Sequence, residues 1–469
     1  MSNITEKQIM ELEEMIAKAK KAEAIIETYD QERVDYLCRA VAWAISNLKT
    51  WEPLSREAVE ETGLGEFQSK INKRNKIRLI LRDCLREKSI GIIEEIPEKG
   101  LTKYGKPVGL IGCLVPTTNP CLTPAGQAIF AIKARDVMIF SPHPRAKAVT
   151  NKTVEIMRQA LVKEGAPADI FQCIKNPSIE LTDELMKRVN LVIATGGRPM
   201  VKAAYSSGTP AYGSGAGNST MIIDETADIK AAAENTRISK TSDFGSGCSC
   251  DGNLVIHSSI FEAMVQALKD EGGYLANVEE AEALKKVIWD DKGHRLPNTV
   301  AISPQKLAQA AGLKLDDKYK FIMVMGDGIG KEHVFSSEKL TTLLALFKYE
   351  GEFENAIKAM KAIYEVGGKG HSCGVYSFND EHINRLAIAA PVSRMMVRQP
   401  QNKANAGSNT NGMPATSSMG CGTWGGNIVS ENICLKHYMN TTWVSRPIPK
   451  DMPTMEELFG EFYNSKLDE

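Results

Sequence analysis

Through roughly its first 90 positions the chain repeats apolar residues at helical spacing. Thr5-Glu6-Lys7-Gln8 has the spacing of a capping box, and Ile9, Leu12, Ile16 and Ala19 follow on one face. A second helix is predicted from about Asp30, with Val34, Leu37, Val41 and Ile45 on its apolar side. Faces of this kind build core and carry no chemistry of their own.

From about residue 105 the period changes, and short apolar runs alternate with amphipathic helical stretches. Val108 to Val115 reads as a strand stopped by Pro116. Val137 to Phe140 is next, followed by a helix from about Lys147 to Lys163. Ile170 to Ile174 and Leu191 to Ala194 continue the series, and Met221 to Asp224 closes it. Strands separated by helices predict a parallel α/β sheet with right-handed crossovers, which takes ligands at the carboxyl ends of its strands. Two tracts fall there, Pro116-Thr117-Thr118-Asn119-Pro120 and Thr195-Gly196-Gly197-Arg198. The second reads equally as a plain β–α turn or as a helix start aiming N–H groups at a pyrophosphate.

A second α/β region runs from roughly Glu225 to Ala415. Inside it Gly326-Asp327-Gly328-Ile329-Gly330 follows the apolar run Phe321 to Met325 and imitates a dinucleotide fingerprint. The spacing is wrong and no long helix follows, so it reads as a solvated loop. Asn402 to Asn427 is rich in Gly, Asn, Ser and Thr but is broken by Met413, Pro414, Met419, Cys421 and Trp424, which favours an ordered loop. Ile92 to Gly105 looks like a projecting strand pair and Met439 to Ser445 like an edge strand. The expected organisation is a dinucleotide-binding domain over 1–224, carrying a strand pair at 90–107. A catalytic domain follows over 225–415, and 416–469 return to the cofactor domain as an oligomerisation tail.

Composition narrows the function classes. A net charge of −1 argues against nucleic acid and anionic membrane as partners. No apolar run reaches the ~18 residues of a membrane span, and Met1 to Lys20 lacks the apolar centre of a signal peptide. Ten cysteines without framework spacing fit reduced thiols in a cytoplasmic protein. Cys248 and Cys250 form a C-x-C pair that no second pair completes, so no metal site is expected.

The chemistry concentrates at Ser242-Asp243-Phe244-Gly245-Ser246-Gly247-Cys248-Ser249-Cys250-Asp251. Small residues around one thiol leave room for a substrate carbon and for backbone N–H groups facing the reacting oxygen. An inert half-buried thiol is the competing reading of this stretch alone.

Taken together the motifs resemble the aldehyde dehydrogenase superfamily, and within it the coenzyme A-acylating branch, nearest the acylating sulfoacetaldehyde and succinate-semialdehyde dehydrogenases. The segments carrying the resemblance are Leu114 to Pro120, Ser141 to Lys147, Ala194 to Gly197, Ser207 to Asn218, Gly370-His371-Ser372 and Gly420 to Asn427. The resemblance implies that family's α/β fold, with two parallel-sheet domains and an oligomerisation strand element. It implies NAD or NADP as cofactor and coenzyme A as co-substrate. It places the nucleophile at Cys248 and the oxyanion donor at Asn119, working with the Cys248 N–H; taken alone, Asn119 reads as an Asx-turn before Pro120. The cofactor seat falls on Ser141, His143, Thr195, Gly196 and Gly197, with Glu338 on the nicotinamide ribose. His371 and Arg398 are assigned to the substrate, and neighbouring N–H groups are expected to lower the Cys248 pKa by about 1.5 units.

One absence has a consequence. Hydrolytic relatives carry a water-activating glutamate in the tract matching Ala211 to Gly217, and here that tract holds no carboxylate. A thioester on Cys248 should then persist until a thiol such as that of coenzyme A arrives. Arg398 reads equally as a solvated surface charge or as a pocket residue, and in the second case it suggests an anionic aldehyde, sulfoacetaldehyde or succinate semialdehyde. A hydrolytic enzyme, acetaldehyde or propionaldehyde as substrate, and a catalytically silent scaffold of the same fold are the rival readings. The family's strand elements imply a homodimer or homotetramer. No microcompartment-addressing helix and no fused alcohol dehydrogenase domain are expected.

Overall fold

The structure, a computed structural model, describes residues 4–467. Its strands in chain order are β1 (Gly91–Ile96), β2 (Leu101–Pro107), β3 (Leu110–Val115), β4 (Val137–Pro142), β5 (Phe171–Cys173), β6 (Leu191–Thr195), β7 (Ala211–Ser214), β8 (Thr220–Ile223), β9 (Asn253–His257), β10 (Gly273–Leu275), β11 (Phe321–Met325), β12 (Leu343–Tyr349), β13 (Cys373–Tyr376), β14 (Met395–Val397) and β15 (Met439–Ser445). They form three sheets. One is five-stranded and parallel, β5-β4-β3-β6-β7; one is seven-stranded and parallel, β10-β11-β12-β9-β8-β13-β14; the third is a three-stranded antiparallel ribbon, β1-β2-β15.

The five-stranded sheet follows from its sequence. β3 and β4 are buried at every position. A strand covered on both faces reads as a continuous apolar run, as these do. The crossover helix Leu122–Ala134 between them is buried along its whole length. The N-terminal helices complete this core. Thr5 caps Glu6–Ile26 in a capping box with Gln8, and Asp30 accepts from the Arg33 N–H at 2.8 Å. Val34, Leu37, Val41 and Ile45 are all fully buried. Ala415, Ile433, Leu435 and Tyr438 pack into the same cluster, so the chain returns to this core after the second sheet.

One strand lies elsewhere than expected. Met221 to Asp224 was to close the first sheet, but β8 pairs with β9 and β13 in the seven-stranded sheet. The first sheet closes instead on β7, a short strand beside β6. Alternation of strand and helix predicts that strands are parallel, not which sheet each one joins, because pairing partners are distant in sequence.

The ribbon projects Trp443, 55% exposed. After it the chain carries exposed Phe459, Phe462 and Leu467. The Gly326 to Gly330 tract is an open loop after β11 with only a short 3₁₀ turn, Val334–Ser336, beyond it.

Lys133, on the buried crossover helix, is fully covered and bonds Asp35 on the second N-terminal helix. That pair fixes the helix whose first turn follows Asn119. Asp35→Ala leaves the ammonium buried without its partner, and the expected loss is about 3 kcal/mol of unfolding free energy in urea titration; an unchanged midpoint would contradict the pair's role.

Candidate active site

The two parallel sheets meet by opposite edges. Ser141 is the next-to-last residue of β4 and Thr195 ends β6, and the Asn119 tract follows β3, so the predicted cofactor and oxyanion residues lie along the carboxyl edge of the five-stranded sheet. In the seven-stranded sheet the arrangement is reversed. Ser219 immediately precedes β8, Cys248 precedes β9, Glu338 precedes β12, His371 and Ser372 precede β13, and Arg394 precedes β14. The nucleophile therefore sits at an amino edge.

Cys248 Sγ lies 3.0 Å from His371 Nε2. His371 Nδ1 is 2.9 Å from Ser372 Oγ, which is 2.9 Å from Ser219 Oγ. Arg394 holds the histidine backbone, donating from Nη2 to the carbonyls of His371 and Gly420 at 2.8 Å each. The sequence reading gave His371 to the substrate; the structure puts it on the nucleophile.

The protonation states follow from burial. Desolvation, with help from Glu338 and Cys421, pushes the Cys248 thiol up to about 12. Desolvation and the Arg394 guanidinium hold the His371 imidazole down at about 3. At neutral pH the pair is a thiol and a neutral imidazole. The expected lowering of the Cys248 pKa is thus overturned in the ligand-free site, because burial outweighs the surrounding N–H dipoles.

Backbone shape brings the parts together. A Cβ on Gly217 would stand 1.8 Å from the Cys248 carbonyl oxygen, so only glycine fits where the two loops cross. Gly370, at φ +84°, lies equally close to the Cys421 carbonyl, which packs the Gly420 to Asn427 loop over the histidine. Ahead of the nucleophile Asp243 and Phe244 both adopt left-handed φ near 50°, strained for residues with a Cβ. A dense set of bonds holds Asp243 there. Its carboxylate accepts from Lys70 Nζ at 2.8 Å, Lys73 Nζ at 2.6 Å, Ser246 Oγ at 2.7 Å and the Glu66 N–H at 2.9 Å. Burial opposes its charge, but the two ammoniums hold its carboxyl well below the usual range.

Lys73 Nζ also donates to Asn119 Oδ1 at 2.5 Å, and Lys70 Nζ to the Thr118 carbonyl at 2.7 Å. With Oδ1 on an ammonium, the Asn119 amide orientation is set and its NH₂ is left for another acceptor. Lys70, Lys73 and Asp243 were not picked out from the sequence. Lys70 and Lys73 lie on one helical face, three residues apart, which alone reads as a solvated charge pair.

The predicted cofactor residues are present at the sheet edge, in part engaged with neighbouring hydroxyls. Ser141 Oγ is 2.8 Å from Thr182 Oγ1, and Thr195 Oγ1 is 2.5 Å from Ser418 Oγ. His143 caps a 3₁₀ turn, Nδ1 accepting from the Arg145 N–H at 3.1 Å. Gly196 and Gly197 lead into the helix Arg198–Tyr205, whose first N–H groups have no intrahelical partner. Glu338 accepts from the Gly217 N–H through Oε1 at 3.1 Å, and burial raises its carboxyl to about 7. Its other oxygen meets no protein donor among the described residues, which suits a ribose hydroxyl. Lys240, covered to 1% exposure, lines the small cavity beneath Cys248 together with Cys250 and Glu338.

Arg398 is not part of this assembly. It follows β14 at the carboxyl edge, the far side of the sheet from Cys248. Its Nη1 donates to the Ser377 carbonyl at 2.6 Å, and its guanidinium covers the Phe378 ring at 4.5 Å. The assignment of Arg398 to the substrate is therefore corrected: it lies exposed at the opposite edge of the sheet, one strand length from Cys248. The Asp224, Glu225 and His382 cluster lies at that same edge, with His382 paired to Asp224 at 2.8 Å.

The sequence profile of the aldehyde dehydrogenase family matches residues 1–282. A sulfoacetaldehyde dehydrogenase of Acholeplasma is 44% identical over 452 residues, 95% of this chain and 93% of that one. An acetylating succinate-semialdehyde dehydrogenase of Clostridium kluyveri is 37% identical over 453 residues, 96% of this chain and 99% of that one. The crystal structure of an acetylating aldehyde dehydrogenase from Geobacillus thermoglucosidasius superposes with a TM-score of 0.91 at 33% identity, covering 96% of this chain and 98% of that one. With a nucleophilic cysteine, a partner histidine and a carboxylate-free tract beside them, the chain belongs to the aldehyde dehydrogenase family, on its acylating branch.

Proposed function

We propose that this enzyme oxidises a small anionic aldehyde to its coenzyme A thioester with NAD or NADP, and runs the reaction in either direction. The observation that carries the reading is the Cys248–His371 contact at 3.0 Å together with the Ala211 to Gly217 tract, which holds no carboxylate to activate water. The Cys248 sulfur adds to the aldehyde carbon while its proton passes to His371 Nε2. A nitrogen that stays unprotonated down to about 3 has its lone pair available throughout the physiological range. The Asn119 NH₂ and the Cys248 N–H receive the oxygen as its charge develops. The dinucleotide supplies the hydride acceptor, seated on the Thr195–Gly197 helix start and on Glu338. His371 releases the proton it took from sulfur to solvent once the Cys248 thioester has formed; the coenzyme A thiol then attacks the thioester, its proton passing to His371 Nε2, and the departing Cys248 sulfur takes that proton back.

Substrate charge is read by Lys73 in this proposal, in place of Arg398. Its ammonium touches Asn119 directly and is the more open of the two lysines on Asp243, at 20% side-chain exposure against 5% for Lys70. The Acholeplasma and Clostridium relatives are named for anionic aldehydes, which favours sulfoacetaldehyde or succinate semialdehyde. Ten free cysteines fit a reducing cytoplasm. The exposed ribbon and the apolar tail beyond it fit a homodimer built by sheet extension.

The deciding experiment follows NAD(P)H formation with and without coenzyme A. Turnover is expected to need coenzyme A, with at most one NAD(P)H per site in its absence; Cys248→Ala is expected to be inactive and Cys250→Ala largely active. Sustained release of free acid without coenzyme A would restore the hydrolytic reading. Lys73→Gln is expected to lower kcat/KM for the anionic aldehyde about 10- to 150-fold more than for acetaldehyde, the range of one charged hydrogen bond. Arg398→Asn is expected to change neither; a selective loss in that variant instead would return the role to Arg398. Sedimentation at micromolar concentration is expected to give at least a dimer, and an active monomer would rule out the sheet-extension interface.

A further inference from the structure

The contacts around the nucleophile close on themselves. Cys248 Sγ meets His371 Nε2, His371 Nδ1 meets Ser372 Oγ, Ser372 Oγ meets Ser219 Oγ, and Ser219 Oγ lies 3.4 Å from the Cys248 carbonyl oxygen. Three of these contacts could run in either direction. The fourth cannot, because a carbonyl oxygen only accepts.

That single constraint sets the rest. Ser219 has one proton and gives it to the Cys248 carbonyl, so it must accept from Ser372. Ser372 has then spent its own proton and must accept from His371. The imidazole is neutral, so a proton on Nδ1 leaves Nε2 bare, facing the thiol. Among the described residues, neither hydroxyl has another hydrogen-bond partner that would relax the chain. Ser219, Ser372 and His371 are all buried, and Arg394 anchors the histidine through its backbone carbonyl.

We infer that Ser372 and Ser219 are positioning residues that hold His371 in its Nδ1–H tautomer, keeping Nε2 as the proton acceptor for the Cys248 thiol. The inference rests on the assignment of His371 as the base above, but concerns the free enzyme and can be tested without turnover. When Nε2 takes the thiol proton as the S–C bond forms, the imidazolium donates through Nδ1–H to an oxygen already turned toward it. The proton taken from sulfur rests on Nε2 through the addition step, and none has to pass along the serines. With the opposite tautomer, Nε2–H would point at sulfur and could not receive its proton.

The test is ¹⁵N spectroscopy of the full-length enzyme labelled at histidine, with the His371 signal identified by its loss in His371→Ala, alongside the rate of Cys248 alkylation by iodoacetamide. The wild type is expected to show the Nδ1–H pattern. Ser372→Ala and Ser219→Ala are each expected to bring in Nε2–H signal and to slow alkylation about tenfold, with kcat falling in parallel and the KM for the dinucleotide unchanged. Ser372→Thr keeps a hydroxyl and is expected to restore tautomer and rate together. A wild type found as Nε2–H, or alanine variants that keep the Nδ1–H pattern and the wild-type alkylation rate, would overturn the proposal. A tautomer shift with no effect on coenzyme A-dependent turnover would leave the ring in place and refute His371 as base.

Discussion

One buried carboxylate joins the parts of this site. Asp243 binds two lysines of the N-terminal helical region, a hydroxyl of the nucleophile loop and a backbone N–H, and through those lysines it reaches Thr118 and Asn119. Three segments far apart in sequence are thereby held together by one ionised group. Isolated, such a charge would be costly to bury; two ammoniums and two further donors compensate it. The strained φ at Asp243 and Phe244 is the backbone's share of the same arrangement, since it turns the chain into the small-residue stretch that ends at Cys248. Asn119 and the Cys248 loop are therefore placed by electrostatics first and by packing second.

The same burial that strengthens those bonds keeps the nucleophile quiet. A thiol raised to about 12 and an imidazole lowered to about 3 do not exchange a proton before substrate arrives. Addition to the carbonyl changes the balance, because the negative charge moves from sulfur to an oxygen that has its own donors. A reactive thiolate need never exist free in the site. This is a safer resting state for an enzyme with Cys250 two positions away and Cys421 packed against the same loop than a standing ion pair would be.

Local structure was largely legible in the sequence, and long-range placement was not. The capping box at Thr5, the helix Lys147–Lys163, and the strands Phe321–Met325 and Met439–Ser445 lie where spacing predicts them, since each depends on near neighbours only. β8 was assigned to the wrong sheet, because its partners β9 and β13 lie 30 and 150 residues or so further on. Arg398 failed for a related reason. Its loop leads back toward the nucleophile, since Gln401 donates to Asp251 at 2.6 Å, but the arginine itself stands at the opposite edge. Lys73 gave no signal because a lysine on an amphipathic helix is the commonest of surface features. His371 was visible as a motif, and only its distance to Cys248 shows what it touches.

The opposed edges explain why two similar sheets serve different ends. At the carboxyl edge of the five-stranded sheet, chains turn into helices whose N-termini face outward, which suits phosphate and ribose. At the amino edge of the seven-stranded sheet, chains arrive in extended loops, where side chains such as Cys248, His371 and Glu338 can be aimed from several strands at one point. Facing one edge with the other brings a cofactor seat and a nucleophile together without either sheet having to hold both. The glycines at 217 and 370 are the cost of that closeness, for each lies where one loop crosses the backbone of another and no Cβ fits. The tract that ends at Gly217 holds no carboxylate able to activate water, and the acyl group on Cys248 is left for a thiol.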